Sequence, residues 1–99
     1  MHPNELDFTT DGIAVAELNN RKICIGMHNG NYFAFAYKCP HANGIMAHGY
    51  INAKGEAVCP WHQYKFDLAS GKNTSGQGYA LKTYPLEITE EGMMVGELI

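Results

Sequence analysis

Two short loops constrain this chain more than any other feature. They are Cys39-Pro40-His41 and Cys59-Pro60-Trp61-His62, separated by the seventeen residues from Ala42 to Val58. Each offers one thiol and one imidazole, side chains that ligate transition metals once the sulfur is a thiolate and the ring is neutral. A lone cysteine or histidine is ordinarily a packed core residue; four in register are poorly explained that way. A single zinc ion could take two cysteines and two histidines. Zinc fingers, however, usually pair like with like, a cysteine knuckle facing histidines on a helix. Here each loop is mixed and no helix is predicted. Two mixed loops meeting face to face suit a binuclear centre, with both thiolates on one metal and both imidazoles on the other.

The rest of the chain reads as all-β. Helical periodicity is nearly absent, and short alternating runs rich in aromatic and β-branched residues recur between Asn, Gly and Asp clusters. The pattern predicts strands over 13–17, 22–27, 32–37, 81–89 and 93–98, with shorter ones over 49–51, 56–59 and 64–68. His28-Asn29-Gly30-Asn31 predicts a hairpin turn, because Asn and Gly tolerate the positive φ angles that such turns need. Asn52-Ala53-Lys54-Gly55 and Glu90-Glu91-Gly92 predict two more turns. Tyr84, Leu86 and Ile88 alternate with Pro85, Glu87 and Thr89, and Pro85 suits a sheet edge. The expected architecture is an antiparallel β-sandwich or barrel spanning 1–99, with a small subdomain of residues 38–67 inserted into it. Residues 69–78 form the most loop-like stretch.

Bulk properties narrow the class. Ninety-nine residues fit one domain. A chain of this size buries roughly two-thirds of its unfolded surface. A hydrophobic share of 45% against 17% charged describes a globule and not a disordered tail. The net charge of −3 argues against nucleic-acid binding. No apolar run approaches the ~20 residues of a membrane helix. Met1-His2-Pro3-Asn4-Glu5 lacks the basic and apolar stretches of a signal peptide, so a cytoplasmic location is expected. Three cysteines make a poor disulfide framework. Cys24, within Lys22-Ile23-Cys24-Ile25, has the setting of a strand residue and not of a ligand.

The pattern Cys-x-His, seventeen residues, Cys-x-x-His, with a proline after each cysteine, closely resembles the Rieske family. The resemblance covers the whole chain, residues 38–67 matching the cluster-binding subdomain and the flanking strands the basal domain. It implies one 2Fe–2S cluster per chain, held by Cys39 and Cys59 on one iron and by His41 and His62 on the other. Two ferric ions, two sulfides, two thiolates and two neutral imidazoles sum to zero charge, so adding an electron is easier than in all-cysteine clusters.

High-potential members of the family carry an extra cysteine in each loop, where this chain has Gly44 and Trp61. They also carry a serine and a tyrosine that donate hydrogen bonds to the cluster side, where this chain has Tyr64 and Phe66. The resemblance therefore implies a low potential. Members often cover the cluster with a proline-containing loop; the aligned residues 76–80 (Gly-Gln-Gly-Tyr-Ala) have none, leaving looser cover or cover by Tyr79.

Among the remaining candidates, His48 reads as a surface or supporting residue, His2 and His28 as solvated, and Trp61 as a packing or docking residue. The chain is similar to the stand-alone Rieske ferredoxins of bacterial aromatic-ring oxygenase systems. That similarity implies a monomeric electron carrier, not itself an enzyme, between a flavin-dependent reductase and a terminal oxygenase. The alternatives are the small Rieske-like subunit of an assimilatory nitrite reductase, and a zinc-stabilised interaction module.

Overall fold

The computed structural model describes residues 8, 12–18, 20–40, 44–60, 63–76, 78–89 and 92–95. The first three strands, β1 (Ile13–Leu18), β2 (Arg21–His28) and β3 (Asn31–Ala36), form consecutive antiparallel hairpins. The β2–β3 turn falls on Asn29-Gly30, both at positive φ (52° and 79°), as the sequence predicts. Strand β7 (Thr83–Tyr84) joins the far edge, giving the order β1-β2-β3-β7. Between β3 and β7 in the chain, β4 (Tyr50–Ile51), β5 (Glu56–Val58) and β6 (Lys65–Asp67) make a separate three-stranded antiparallel sheet.

Strand β2 is buried on both faces because alternate side chains serve two different cores. Cys24 points into one with Ile13, Phe35, Met46, Ala57, Phe66 and Leu68. Ile23 and Ile25 point into the other with Ala16 and Ala34, backed by Phe8, Tyr32, Tyr84 and Leu86. The first core fills the space between the two sheets. Gly26 lets them close: a Cβ there would lie 3.0 Å from the Phe35 ring and 3.3 Å from both Ile51 and Leu68. The small sheet thus seats on β2 where β2 has no side chain.

Two sequence expectations need correction. The strand expected over 81–89 is two strands, β7 and β8 (Leu86–Thr89), divided at Pro85. Proline has no N–H to continue the ladder. Accordingly β7 pairs with β3, whereas β8 turns away to pair with β9 (Gly92–Val95). A 3-10 helix at Met46–His48 was not anticipated, since three residues are too few to show a period. The turn residues Glu90 and Glu91, and residues 96–98 of the last expected strand, lie outside the described residues.

The stretch 69–78 has no strand among its described residues, as expected, but it is pinned. The Lys65 carbonyl accepts from the backbone of Thr74 at 2.9 Å and from Asn73 Nδ2 at 3.2 Å. The Lys65 N–H donates to Ser75 Oγ at 2.9 Å, and the Asp67 N–H to the Lys72 carbonyl at 2.8 Å. Further on, Leu81 N–H donates to the Gly71 carbonyl. The strap is therefore laid along the small sheet before the chain returns to the large one.

Candidate metal centre

The two cysteine loops are built alike. After β3, Lys38 bridges to Ile45, and the Cys39 N–H donates to the carbonyl of Gly44 at 2.8 Å. After β5, Val58 pairs with Lys65, and the Cys59 N–H donates to the carbonyl of Tyr64, also at 2.8 Å. In both, a ladder pair is followed by a cysteine that closes onto the carbonyl five residues on. Each closure brackets the histidine of its own motif. His41 and His62 themselves, with Asn43 and Trp61, lie outside the described residues.

Both thiols turn inward. Cys39 is 3% exposed and Cys59 fully buried, and they belong to one core cluster with Met46, Ala57 and Phe66. Gly49 couples the loops. A Cβ at that position would collide with the Val58 carbonyl and approach Pro60 Cδ within 3.3 Å. The first loop returns through Met46–His48 and presses its backbone against the strand that delivers Cys59. Sequence reading did not single out Gly49, because its partner is nine residues away on another strand.

Other candidates fall as follows. Cys24 is fully buried on β2, between Val15 and Phe35, and burial pushes its thiol from the ordinary 9.0 to about 12. His48 is exposed at the end of its helix. His28, expected to be solvated, is half-buried: its ring covers Gly55, and its Nε2 accepts from Asn29 Nδ2 at 3.1 Å. Tyr79 packs on Tyr64, ring centroids 5.9 Å apart and tilted by 35°. The residue whose carbonyl closes the second loop is thereby covered by an aromatic ring from the strap.

Two buried sulfurs from matched loops, each loop carrying a histidine in its sequence, suit a centre that takes its ligands from both loops. Residues 1–85 match the family model of the Rieske [2Fe-2S] domain. The chain belongs to the Rieske family. Its cofactor is accordingly a 2Fe–2S cluster, and the zinc alternative is set aside.

Individual relatives of this Rieske chain differ in context. It is 29% identical over 92 residues to the ferredoxin component of the naphthalene 1,2-dioxygenase/salicylate 5-hydroxylase systems of Ralstonia sp., covering 91% of this chain and 88% of that one. It is 37% identical over 60 residues to a human Rieske domain-containing protein, covering 58% of this chain and 38% of that protein. It thus spans well under half of that human relative. In three dimensions it matches the ferredoxin of carbazole 1,9a-dioxygenase from Nocardioides aromaticivorans IC177 with a TM-score of 0.80 and 18% identity. That match covers 96% of this chain and 91% of the ferredoxin, and it shows the same fold.

Proposed function

We propose that this Rieske chain is a cytoplasmic one-electron carrier of low potential, passing electrons from a flavin-dependent reductase to a terminal oxygenase. In this reading Cys39 and Cys59 hold one iron, His41 and His62 hold the other, and residues 38–67 are the cluster-binding unit. The single observation that carries it is the matched closure of the two loops, Cys39 onto Gly44 and Cys59 onto Tyr64, with both sulfurs in one buried cluster. The cluster supplies reversible one-electron chemistry when bound.

The protein's own residues hold the ligands, exclude water and set the potential. Met46, Phe66 and Ala57 wall the sulfur side with apolar atoms, a low-dielectric setting that resists added negative charge. Phe66 is fully buried and carries no hydroxyl to donate toward that side. Both features favour the negative end of the roughly −150 to +300 mV span of Rieske centres.

Three measurements test the proposal. The dithionite-reduced protein is expected to show the electron paramagnetic resonance signal of a mixed cysteine–histidine 2Fe–2S centre. Voltammetry across a pH series is expected to give a low potential that stays flat through neutrality. In a reconstituted assay the protein is expected to restore turnover to an aromatic-ring oxygenase supplied with a flavin reductase and reduced nicotinamide cofactor. A potential well above zero, or a loaded protein that restores no turnover, overturns the role. Rescue of a nitrite reductase lacking its small subunit would reassign it.

A further inference from the structure

Strand register distributes the charged side chains unequally along the molecule. Five of the seven basic residues lie at the end that carries the cysteine loops. Arg21 and Lys22 open β2 alongside the close of β3, and the Lys22 ammonium sits 5.6 Å from the centre of the Tyr37 ring, two residues before Cys39. Lys38 directly precedes Cys39. Lys65 is paired with Val58, the residue before Cys59. The Lys82 carbonyl accepts the N–H of Ala36, the last residue of β3. Four of these side chains are exposed and Lys65 is half-buried.

The four acidic residues among the described ones fall otherwise. Among the described residues only Glu17, opposite Lys22, stands at the cysteine end. Glu56 and Asp67 are paired at the other end of the small sheet, with Lys54 in the adjoining turn and Lys72 bonded to Asp67. Glu87 lies beyond Pro85 on β8, opposite Met94 and outside the large sheet. Among the described residues the cysteine end holds five cations and one acid, and the opposite end of the small sheet two cations and two acids. Among the described residues the sign at the cysteine end is thus opposite to that of the net charge of −3. At contact distance a partner feels the nearby charges, because exposed charges beyond about 10 Å are screened at ~0.1 M salt.

We infer that the cysteine end is a cationic docking face, and that its partner is a redox protein with an acidic rim around its own centre. The inference rests on the carrier role proposed above and adds the sign of the partner's surface. Charge complementarity of this kind raises the association rate at low salt and orients the encounter. Here it would bring the partner to the end of the molecule where the ligand loops lie.

Stopped-flow oxidation of the cluster-loaded, dithionite-reduced protein tests it, using two one-electron oxidants of opposite charge, ferricyanide and hexaamminecobalt(III). Between ~100 mM and ~500 mM ionic strength, where exposed charges more than about 10 Å away are screened, the ferricyanide rate should fall about twofold or more, and the cobalt rate should rise. The double variant Lys22→Glu, Lys38→Glu leaves three cations against three acids at that end and should abolish both trends. Lys54→Glu, Lys72→Glu changes the net charge equally at the far end and should leave the signs unchanged. With protein oxidants, transfer to acidic cytochrome b5 should slow with added salt, and transfer to basic cytochrome c should quicken. A ferricyanide rate that rises with salt, equal effects of the two doubles, or a cytochrome b5 rate that rises with salt overturns the docking face while leaving the carrier role standing. A chain that takes up no cluster, or that neither oxidant can re-oxidise, fails at the carrier role itself and takes the docking face with it.

Discussion

Gly49 lies so close to Val58 that no other side chain fits at position 49 without striking the Val58 carbonyl. The contact joins the return limb of one ligand loop to the approach of the other. Gly49→Ala must therefore push β5 and the 3-10 helix apart, an overpacking cost of about 1–3 kcal/mol. For a domain of this size that corresponds to a fall in Tm of at least about 4 °C. Cluster content should fall with it. Differential scanning fluorimetry and iron and sulfide analysis check both, and an unchanged Tm with full iron would remove Gly49 from this role.

Ligand substitutions should separate the cysteines. Alanine at Cys39, Cys59, His41 or His62 should abolish the visible chromophore and lower stability, because binding of the group is coupled to folding. Cys24→Ala should retain two irons and two acid-labile sulfides per chain. Loss of the chromophore on changing Cys24 alone would contradict the ligand set.

Tyr79 is 44% exposed, yet its ring is held against Tyr64. If that contact shields the second loop, Tyr79→Ala should speed bleaching of the cluster by a chelator or by air several-fold, while Tyr79→Phe stays close to wild type. The decay of visible absorbance measures it. Equal bleaching rates in all three proteins would leave the cover to other residues.

The buried Cys24 thiol predicts a loss of stability in alkali. Its pKa is raised by burial to about 12 in the folded chain, against an ordinary 9.0. Below about 9 both states keep the proton and the thiol contributes no pH dependence. Between about 9 and 12 the unfolded chain releases a proton that the folded chain retains, so stability falls as pH rises. The slope is about 1.4 kcal/mol per pH unit. Urea unfolding at pH values near 8 and near 10 should show this extra loss in wild type and not in Cys24→Ala. Parallel behaviour of the two proteins would mean that the thiol is not buried as described.

The ligand loops were legible because their chemistry is local: a cysteine, a proline and a histidine within four residues announce themselves at any distance from the partner loop. The β2–β3 turn was legible for the same reason, since Asn29 and Gly30 carry their backbone preference with them. Other features depend on neighbours far along the chain. The split of the 81–89 strand at Pro85 was half visible: proline demanded an edge, but only the change of partner from β3 to β9 makes it a boundary. The pinning of residues 69–78 rests on Lys65 offering both backbone groups to Asn73, Thr74 and Ser75, a choice no local pattern reveals. Likewise Gly49 is one glycine among eleven until the strand it touches is known.

Pro85 also bears on how such a domain can be inherited. The family match ends at this residue, where the backbone stops donating to the large sheet. Chain exchanged beyond that joint keeps the pairing of β1, β2, β3 and β7 so long as an apolar residue replaces Leu86, which backs the Ile23–Ile25 core. A unit with such an exit can be spliced into longer polypeptides as a cassette, its ligand loops travelling complete. The human relative, of which this chain spans 38%, shows that the family does occur in longer chains.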